Sequence, residues 1–296
     1  MELLAPCGNM KTLKAAIQAG ADAVYLGAEK FSARAFAGNF GENELREAIA
    51  LAGDVKIYLA INTLITDREL NEAINIIERA KSLSAFIVQD LGLAKKIKEN
   101  FPNAVLHAST QITAKTFQDV NVLEKLGFKR VVLARELSRE QIKKIIANTS
   151  IETEIFVHGA LCSAYSGQCL MSSFIGGRSA NRGKCAQPCR LKYKSAKREG
   201  VLLSLKDLCL IDHINELTEI GVTSLKIEGR MKGEDYVRTV VAAYRAALDG
   251  KKPPDKAKLL SVFDRGGYTD GYFTDDKSKM YMEKLKNPYG GNTAPH

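Results

Sequence analysis

Long apolar runs are missing from this chain: no stretch approaches the roughly 18 residues that suggest a membrane-spanning helix. Glycine and proline are modest, 23 and seven residues of 296, and tryptophan is absent. A collagen-like chain is thereby excluded, and a hydrophobic share of 45% excludes intrinsic disorder and a small disulfide scaffold. The N-terminus, Met1-Glu-Leu-Leu-Ala-Pro-Cys-Gly8, has an acid at position 2 and too short an apolar run for a secretory signal. The six cysteines are therefore expected as thiols, metal ligands or redox groups, and the expected compartment is the cytoplasm. No His-Glu-x-x-His occurs among the four histidines His107, His158, His213 and His296, and no Gly-x-Ser-x-Gly elbow occurs. Nor does a Gly-x-Gly-x-x-Gly follow the first apolar run, so nothing favours a dinucleotide fold.

What is present is a rhythm. Short apolar runs, Leu3–Ala5, Ala23–Leu26, Lys56–Ile61, Ala85–Val88, Ala104–His107, Arg130–Ala134, Glu154–His158 and Ser224–Ile227, read as strands buried on both faces. Between them lie amphipathic stretches. Lys11–Ala19, Asp67–Lys81, Ser138–Ile146 and Asp207–Glu219 read as helices, with Thr66 and Ser138 as N-caps and Gln141 completing a capping box. Gly20, Gly127 and Gly221 stand where helices end and strands follow. Eight such units in about 250 residues match a (β/α)₈ TIM-like barrel, with an open doubly wound sheet as the alternative. Residues 1–252 would form the barrel and 253–296 a C-terminal extension.

The rhythm fails once. Sixty-five residues separate His158 from Ser224, and the excess, 159–203, leaves from a C-terminal strand end, where barrels place their chemistry. It holds Cys162, Cys169, Cys185 and Cys189 in the pattern C-x6-C-x15-C-x3-C, amid glycines. Four thiolates suit an iron–sulfur cluster or a Cys₄ zinc site; a dithiol redox pair and plain packing are further readings. The wide gaps favour a cluster, because zinc sites usually take two ligands from a tight turn. Cys209, in an apolar run, reads as core. Cys7 ends the first strand and reads as packing or a spare thiol.

The same segment is basic. Arg178, Arg182, Lys184, Arg190, Lys192, Lys194, Lys197 and Arg198 fall in 21 residues without an acid, within a chain of 43 Lys+Arg against 34 Asp+Glu. Such a run is either a solvated face or a phosphate-binding rim for RNA. Polar residues at strand ends should line the barrel mouth: Arg34, Asn62, Gln89, Asp90, Ser109, Gln111, Arg135, Glu136, His158, Glu228 and Arg230. His158 and Glu228 are the candidate acid–base groups. The guanidinium forks of Arg34, Arg135 and Arg230, with Asn62 and Gln111, suit an anionic substrate.

Glu154-Ile-Phe-Val-His158-Gly159-Ala-Leu-Cys162, with Ser166-Gly167-Gln-Cys169-Leu-Met-Ser172, resembles the defining segment of the peptidase U32 family. Met1-Glu-Leu-Leu-Ala-Pro-Cys-Gly-Asn9, Gly20-Ala-Asp-Ala-Val-Tyr-Leu-Gly27, Ser204-Leu-Lys-Asp-Leu-Cys209 and Ser224-Leu-Lys-Ile-Glu-Gly-Arg230-Met-Lys232 agree with it. The family was catalogued as collagenase-like peptidases, yet its better-understood members are oxygen-independent hydroxylation factors. They act on tRNA (5-hydroxyuridine), on ribosomal RNA (5-hydroxycytidine, with prephenate as implicated precursor) or in anaerobic ubiquinone synthesis. The resemblance implies a [4Fe–4S] cluster on Cys162, Cys169, Cys185 and Cys189, with zinc as the alternative, and it is nearest the tRNA branch. RNA-branch members often continue into a β-rich region, which implies that a partner chain or a longer form supplies part of the RNA grip. A Cys162–His158 dyad is what the peptidase reading would need, and a noncatalytic zinc RNA-binding module is the other rival.

Overall fold

The computed structural model describes residues 1–33, 38–196 and 198–282; Arg34 and Lys197 lie outside the described residues. In chain order the strands are β1 (Glu2–Pro6), β2 (Ala23–Gly27), β3 (Lys56–Ile61), β4 (Ala85–Val88), β5 (Leu106–Ala108), β6 (Arg130–Val132), β7 (Glu152–Gly159), β8 (Tyr193–Lys194), β9 (Glu199–Gly200), β10 (Asp207–Cys209), β11 (Ser224–Ile227) and β12 (Tyr268–Thr269). The helices are α1 (Met10–Gln18), α2 (Glu42–Ala52), α3 (Asp67–Arg79), α4 (Leu91–Asn100), α5 (Phe117–Lys125), α6 (Arg139–Ile146), α7 (Met171–Gly176), α8 (Ile214–Ile220), α9 (Glu234–Leu248) and α10 (Lys256–Val262). Strands β1 to β7 pair in sequence, all parallel, and β11 joins β7 to β1, so the sheet closes. This is the (β/α)₈ barrel, and closure rules out the open doubly wound sheet.

Local chemistry accounts for the helix boundaries. Ser138 Oγ accepts from the Gln141 amide while Gln141 Oε1 accepts from the Ser138 amide at 2.9 Å, so two orphan donors of α6 are satisfied. Glu69 Oε2 does the same for the Thr66 amide at 3.0 Å at the head of α3. Gly127 and Gly221 carry φ of +91° and +90°, a left-handed turn that a β-carbon would strain, and each passes the chain from a helix into a strand.

Two apolar layers result. One lies between barrel wall and helices, including Leu3, Leu26, Leu59, Val88, Val157 and Tyr244. A smaller one fills the barrel with Leu4, Ala23, Tyr25, Tyr58, Ala60, Ala85 and Ile87. Charge completes the barrel floor. Arg130 bonds Glu2, reaches Glu154 at 3.2 Å and Glu152 at 2.6 Å, and Lys226 Nζ lies 2.7 Å from Glu154 Oε1. Removing one partner of so buried a set costs about 3–5 kcal/mol, because the other charge is left uncompensated.

The expected helix Asp207–Glu219 is corrected. Its first residues form β10, which pairs antiparallel with β7 beyond the barrel rim (Leu208 with Gly159, Cys209 with His158), and the α-helix begins only at Ile214. A short apolar run does not distinguish strand from helix by period, and pairing with β7 decides here. Cys209 is buried as expected, and so is Cys7. Strand β12 lies parallel to β10, and Leu205 bridges to Tyr281, so residues beyond 252 pack against the 160–206 segment.

Candidate functional site

At the C-terminal end of the barrel strands lies a cavity of about 130 Å³, lined by strand ends and by the 160–206 segment. Cys162, Cys169, Cys185 and Cys189 all line it, and none of the four is joined in a disulfide. With them stand Asn62, Ser109, Gln111, Arg135, Glu228 and Arg230 from the strand ends. Sequence positions 226, 228 and 230 share one face of β11 and its exit, as the two-residue period requires, so Lys226 also reaches the cavity.

The 160–206 segment is held down by specific contacts. Thr113 Oγ1 donates to the Ser166 carbonyl at 2.8 Å, and Glu136 Oε1 accepts from the Ser166 amide at 3.2 Å. Gly167, at φ +83°, sits so close to Gln111 that a β-carbon would lie 2.6 Å from the Gln111 carbonyl oxygen. Only glycine permits that approach. The Gln187 amide donates to Cys185 Sγ at 3.3 Å.

The cavity is electropositive. Arg135 lies over the Phe156 ring at 4.2 Å, Lys226 over Tyr25 at 4.4 Å, and Arg230 over Tyr25 at 5.6 Å. Glu228 lies 3.8 Å from Arg135, whose Nη1 donates to the Ala160 carbonyl at 2.8 Å. Arg230 Nη1 donates to Ser32 Oγ at 2.7 Å, and Asn62 Nδ2 donates to Ser109 Oγ at 3.3 Å. Arg135 Nε and Gln111 Oε1 are buried without a hydrogen-bond partner among the described residues. Buried polar atoms are rarely left so, and orphans in a cavity point to a ligand that would pair with them.

Several expectations are corrected. His158 does not face the mouth. Strand β7 matches Phe156 to Lys226 and then His158 to Ile227, so Val157 is an extra residue and the bulge turns His158 outward. There its ring packs against Tyr244, Tyr236 and Tyr268 at centroid distances of 5.6, 6.0 and 5.1 Å, and burial pulls its pKa down to about 3. Asp90 is the N-cap of α4, accepting from the Leu93 amide at 2.8 Å. Arg190 is buried: it donates to Ser204 Oγ at 2.6 Å, the Leu205 carbonyl at 2.5 Å and the Leu161 carbonyl at 2.7 Å, and offers nothing to a phosphate. Arg182 bonds Glu69 and the Leu64 carbonyl, tying the segment to α3.

Other residues of the basic run remain at the surface. Lys184, Lys192, Lys194 and Arg198 are exposed; Arg178 is half-buried, with Nε donating to the Lys184 carbonyl at 3.0 Å. Gln89 is buried but does not line the cavity, and Glu136 serves as the Ser166 anchor, its pKa raised by burial. Sequence reasoning missed Lys226, Tyr25 and Phe156. The available signal was a lysine at an inward position of an apolar strand, which costs free energy unless it is paired.

Among the described residues, no three His, Cys, Asp or Glu side chains converge closely enough to hold one metal ion. The four cysteines line the same cavity, and four thiolates are the donor set that an iron–sulfur cluster or a Cys₄ zinc site takes.

A closed (β/α)₈ barrel with four thiols and three cations round its C-terminal cavity is the class that fold and site define. The chain belongs to peptidase family U32, whose model matches residues 8–283. It is 41% identical to an uncharacterized protease of Methanocaldococcus jannaschii, over 93% of this chain and 74% of that protein. It is 38% identical to the 23S rRNA 5-hydroxycytidine synthase of Escherichia coli over 95% of this chain, but spans only 44% of that protein. To tRNA hydroxylation protein P1 of Bacillus subtilis it is 37% identical, over 84% of this chain and 63% of the relative. A solved U32 peptidase structure shares the fold, with a TM-score of 0.54 at 12% identity, covering 77% of this chain and 93% of that one. Among the described residues no helix is long and apolar enough to cross a membrane.

Proposed function

We propose that this protein takes part in oxygen-independent hydroxylation of a pyrimidine in RNA, most directly tRNA 5-hydroxyuridine formation. Relatives named for tRNA hydroxylation and for 23S rRNA 5-hydroxycytidine synthesis support the RNA class. In this reading Cys162, Cys169, Cys185 and Cys189 hold a [4Fe–4S] cluster, which when bound supplies one-electron chemistry in the cavity. The observation that carries it is that all four cysteines line one cavity together with Lys226, Arg135 and Arg230.

The chain's own residues then divide the work. Arg135 and Arg230 bind the carboxylates of a small anion such as prephenate, with the unpaired Arg135 Nε as one donor and Gln111 Oε1 as an acceptor for a hydroxyl. Glu228, beside Arg135, is placed to hold or release a proton at the cavity wall. The tyrosine and phenylalanine rings exclude water beneath the cations. Exposed Lys184, Lys192, Lys194 and Arg198 hold the RNA backbone outside, with any further grip coming from a partner chain or additional sequence.

Peptidase chemistry gains nothing from the geometry, because the Cys162–His158 dyad is not assembled: Cys162 lines the cavity and His158 is packed behind β7.

Two measurements test the reading. Anaerobically purified protein should be brown, absorb near 400 nm and contain iron and sulfide, and each Cys→Ser variant of the quartet should lose most of that iron. Colourless protein with stoichiometric zinc would refute the cluster. Deleting the gene should abolish the 5-hydroxypyrimidine signal in nucleoside mass spectrometry; an unchanged signal would refute the RNA assignment.

A further inference from the structure

The floor of the cavity holds a nucleophile that the reading above leaves idle. Lys226 is buried at 4% exposure on β11, yet it lines the cavity, with Nζ 2.7 Å from Glu154 Oε1 and over the Tyr25 and Phe156 rings at 4.4 and 5.5 Å. Arg135 and Arg230 line the same cavity, with Arg135 over the same Phe156 ring as the amine. A buried primary amine beside aromatic rings is suited to attack a carbonyl carbon, and guanidinium groups lining the same cavity are suited to a carboxylate. A molecule that joins both groups on adjacent carbons is a 2-oxo acid.

We infer that Lys226 is a covalent anchor, condensing with the keto group of a 2-oxo carboxylate whose carboxylate is held by the cavity arginines. The inference rests on the reading of this cavity as the substrate site. Chemically the step is a condensation. The Lys226 ammonium passes a proton to Glu154 and the freed lone pair forms a C–N bond to the carbonyl carbon; the oxygen then takes one proton from the nitrogen and the stored one from Glu154, and the C–O bond breaks as it leaves as water. Ammonium plus ketone gives iminium plus water, with no change of oxidation state and no further reactant. Burial, partly offset by Glu154, pulls the Lys226 pKa below the ordinary lysine value.

The test is reductive trapping. The full chain is incubated with pyruvate, and separately with phenylpyruvate, in the presence of sodium cyanoborohydride, then weighed intact and mapped by proteolysis. One carboxyethyl group per chain should appear after pyruvate, on the peptide containing Lys226, well ahead of surface lysines. The adduct should vanish in Lys226→Arg, which keeps a cation beside Glu154, and fall at least several-fold in Arg135→Gln. No adduct on the Lys226 peptide of the unaltered protein, or labelling spread evenly over exposed lysines, overturns the inference and leaves Lys226 as a counterion of Glu154. The readout needs neither RNA nor iron. Failure here leaves the hydroxylation reading standing, and an adduct obtained while deletion leaves RNA unchanged refutes that reading but not the anchor.

Discussion

Arg190 separates a structural latch from a phosphate contact, and the two roles predict opposite measurements. The residue is 3% exposed, and its guanidinium donates to Ser204 Oγ, to the Leu205 carbonyl and to the Leu161 carbonyl. Leu161 precedes Cys162, and Arg190 follows Cys189, so this one side chain joins both ends of the cysteine quartet to the segment leading into β10. Hydrogen bonds to a charged group contribute about 1.5–3 kcal/mol each, and three acceptors on one group are not additive. Arg190→Met keeps most of the volume and strands those acceptors, so a loss of about 3–5 kcal/mol is expected. Urea unfolding checks it: the midpoint should fall with the slope unchanged. Iron content after anaerobic purification should fall with it. Arg190→Lys retains the charge but not the fork, and should recover only part of the loss. A phosphate contact behaves otherwise. Stability would be unaltered, while the salt dependence of RNA affinity would lose about one unit of slope. A stability change under about 1 kcal/mol combined with that altered slope would refute the latch.

Two more outcomes follow from the charges. Burial alone would raise the Glu2 carboxyl, but Arg130 and Tyr58 more than reverse this and hold it at about 2 against an ordinary 4.5. The resulting stability is fully present above pH 4.5 and is lost as pH falls towards 2, so Glu2→Gln should cost about 3 kcal/mol at neutral pH and flatten the acid limb of a pH–melting curve. If the two proteins instead keep a constant gap down to pH 2, Glu2 is not the group that titrates. At the surface, Lys184→Glu with Lys192→Glu should weaken binding of unstructured RNA and reduce its salt slope by one to two units, whereas Arg182→Gln, already committed to Glu69, should leave the slope alone.

Much of the fold was legible because its signals are local. Parallel strands covered on both faces must be continuous apolar runs, and Ala85–Val88 or Lys56–Ile61 admits few other readings beside the capped helices that follow them. The position of the cysteines in a break after β7 was legible for the same reason, since a repeat of known length makes an excess visible. Strand-end residues such as Asn62, Gln111, Arg135, Glu228 and Arg230 were found by counting from those strands, and the structure brings all five to the cavity.

Other features depended on contacts between residues far apart in the chain. One extra residue in β7 reverses the facing of His158, and no local pattern announces a bulge that only the pairing with β11 defines. The strand at Asp207–Cys209 exists because β7 runs past the rim and offers an edge. Arg190 and Arg182 look like their basic neighbours in sequence, but Leu161, Ser204 and Glu69 take their charges inward. Composition and period settled the barrel, the thiol quartet and the excess of positive charge, because each is written in residue type and spacing. Which charges face the cavity, which brace its walls and which stay in solvent was decided by tertiary structure alone, since a side chain's free energy depends on the partners that folding brings within bonding distance.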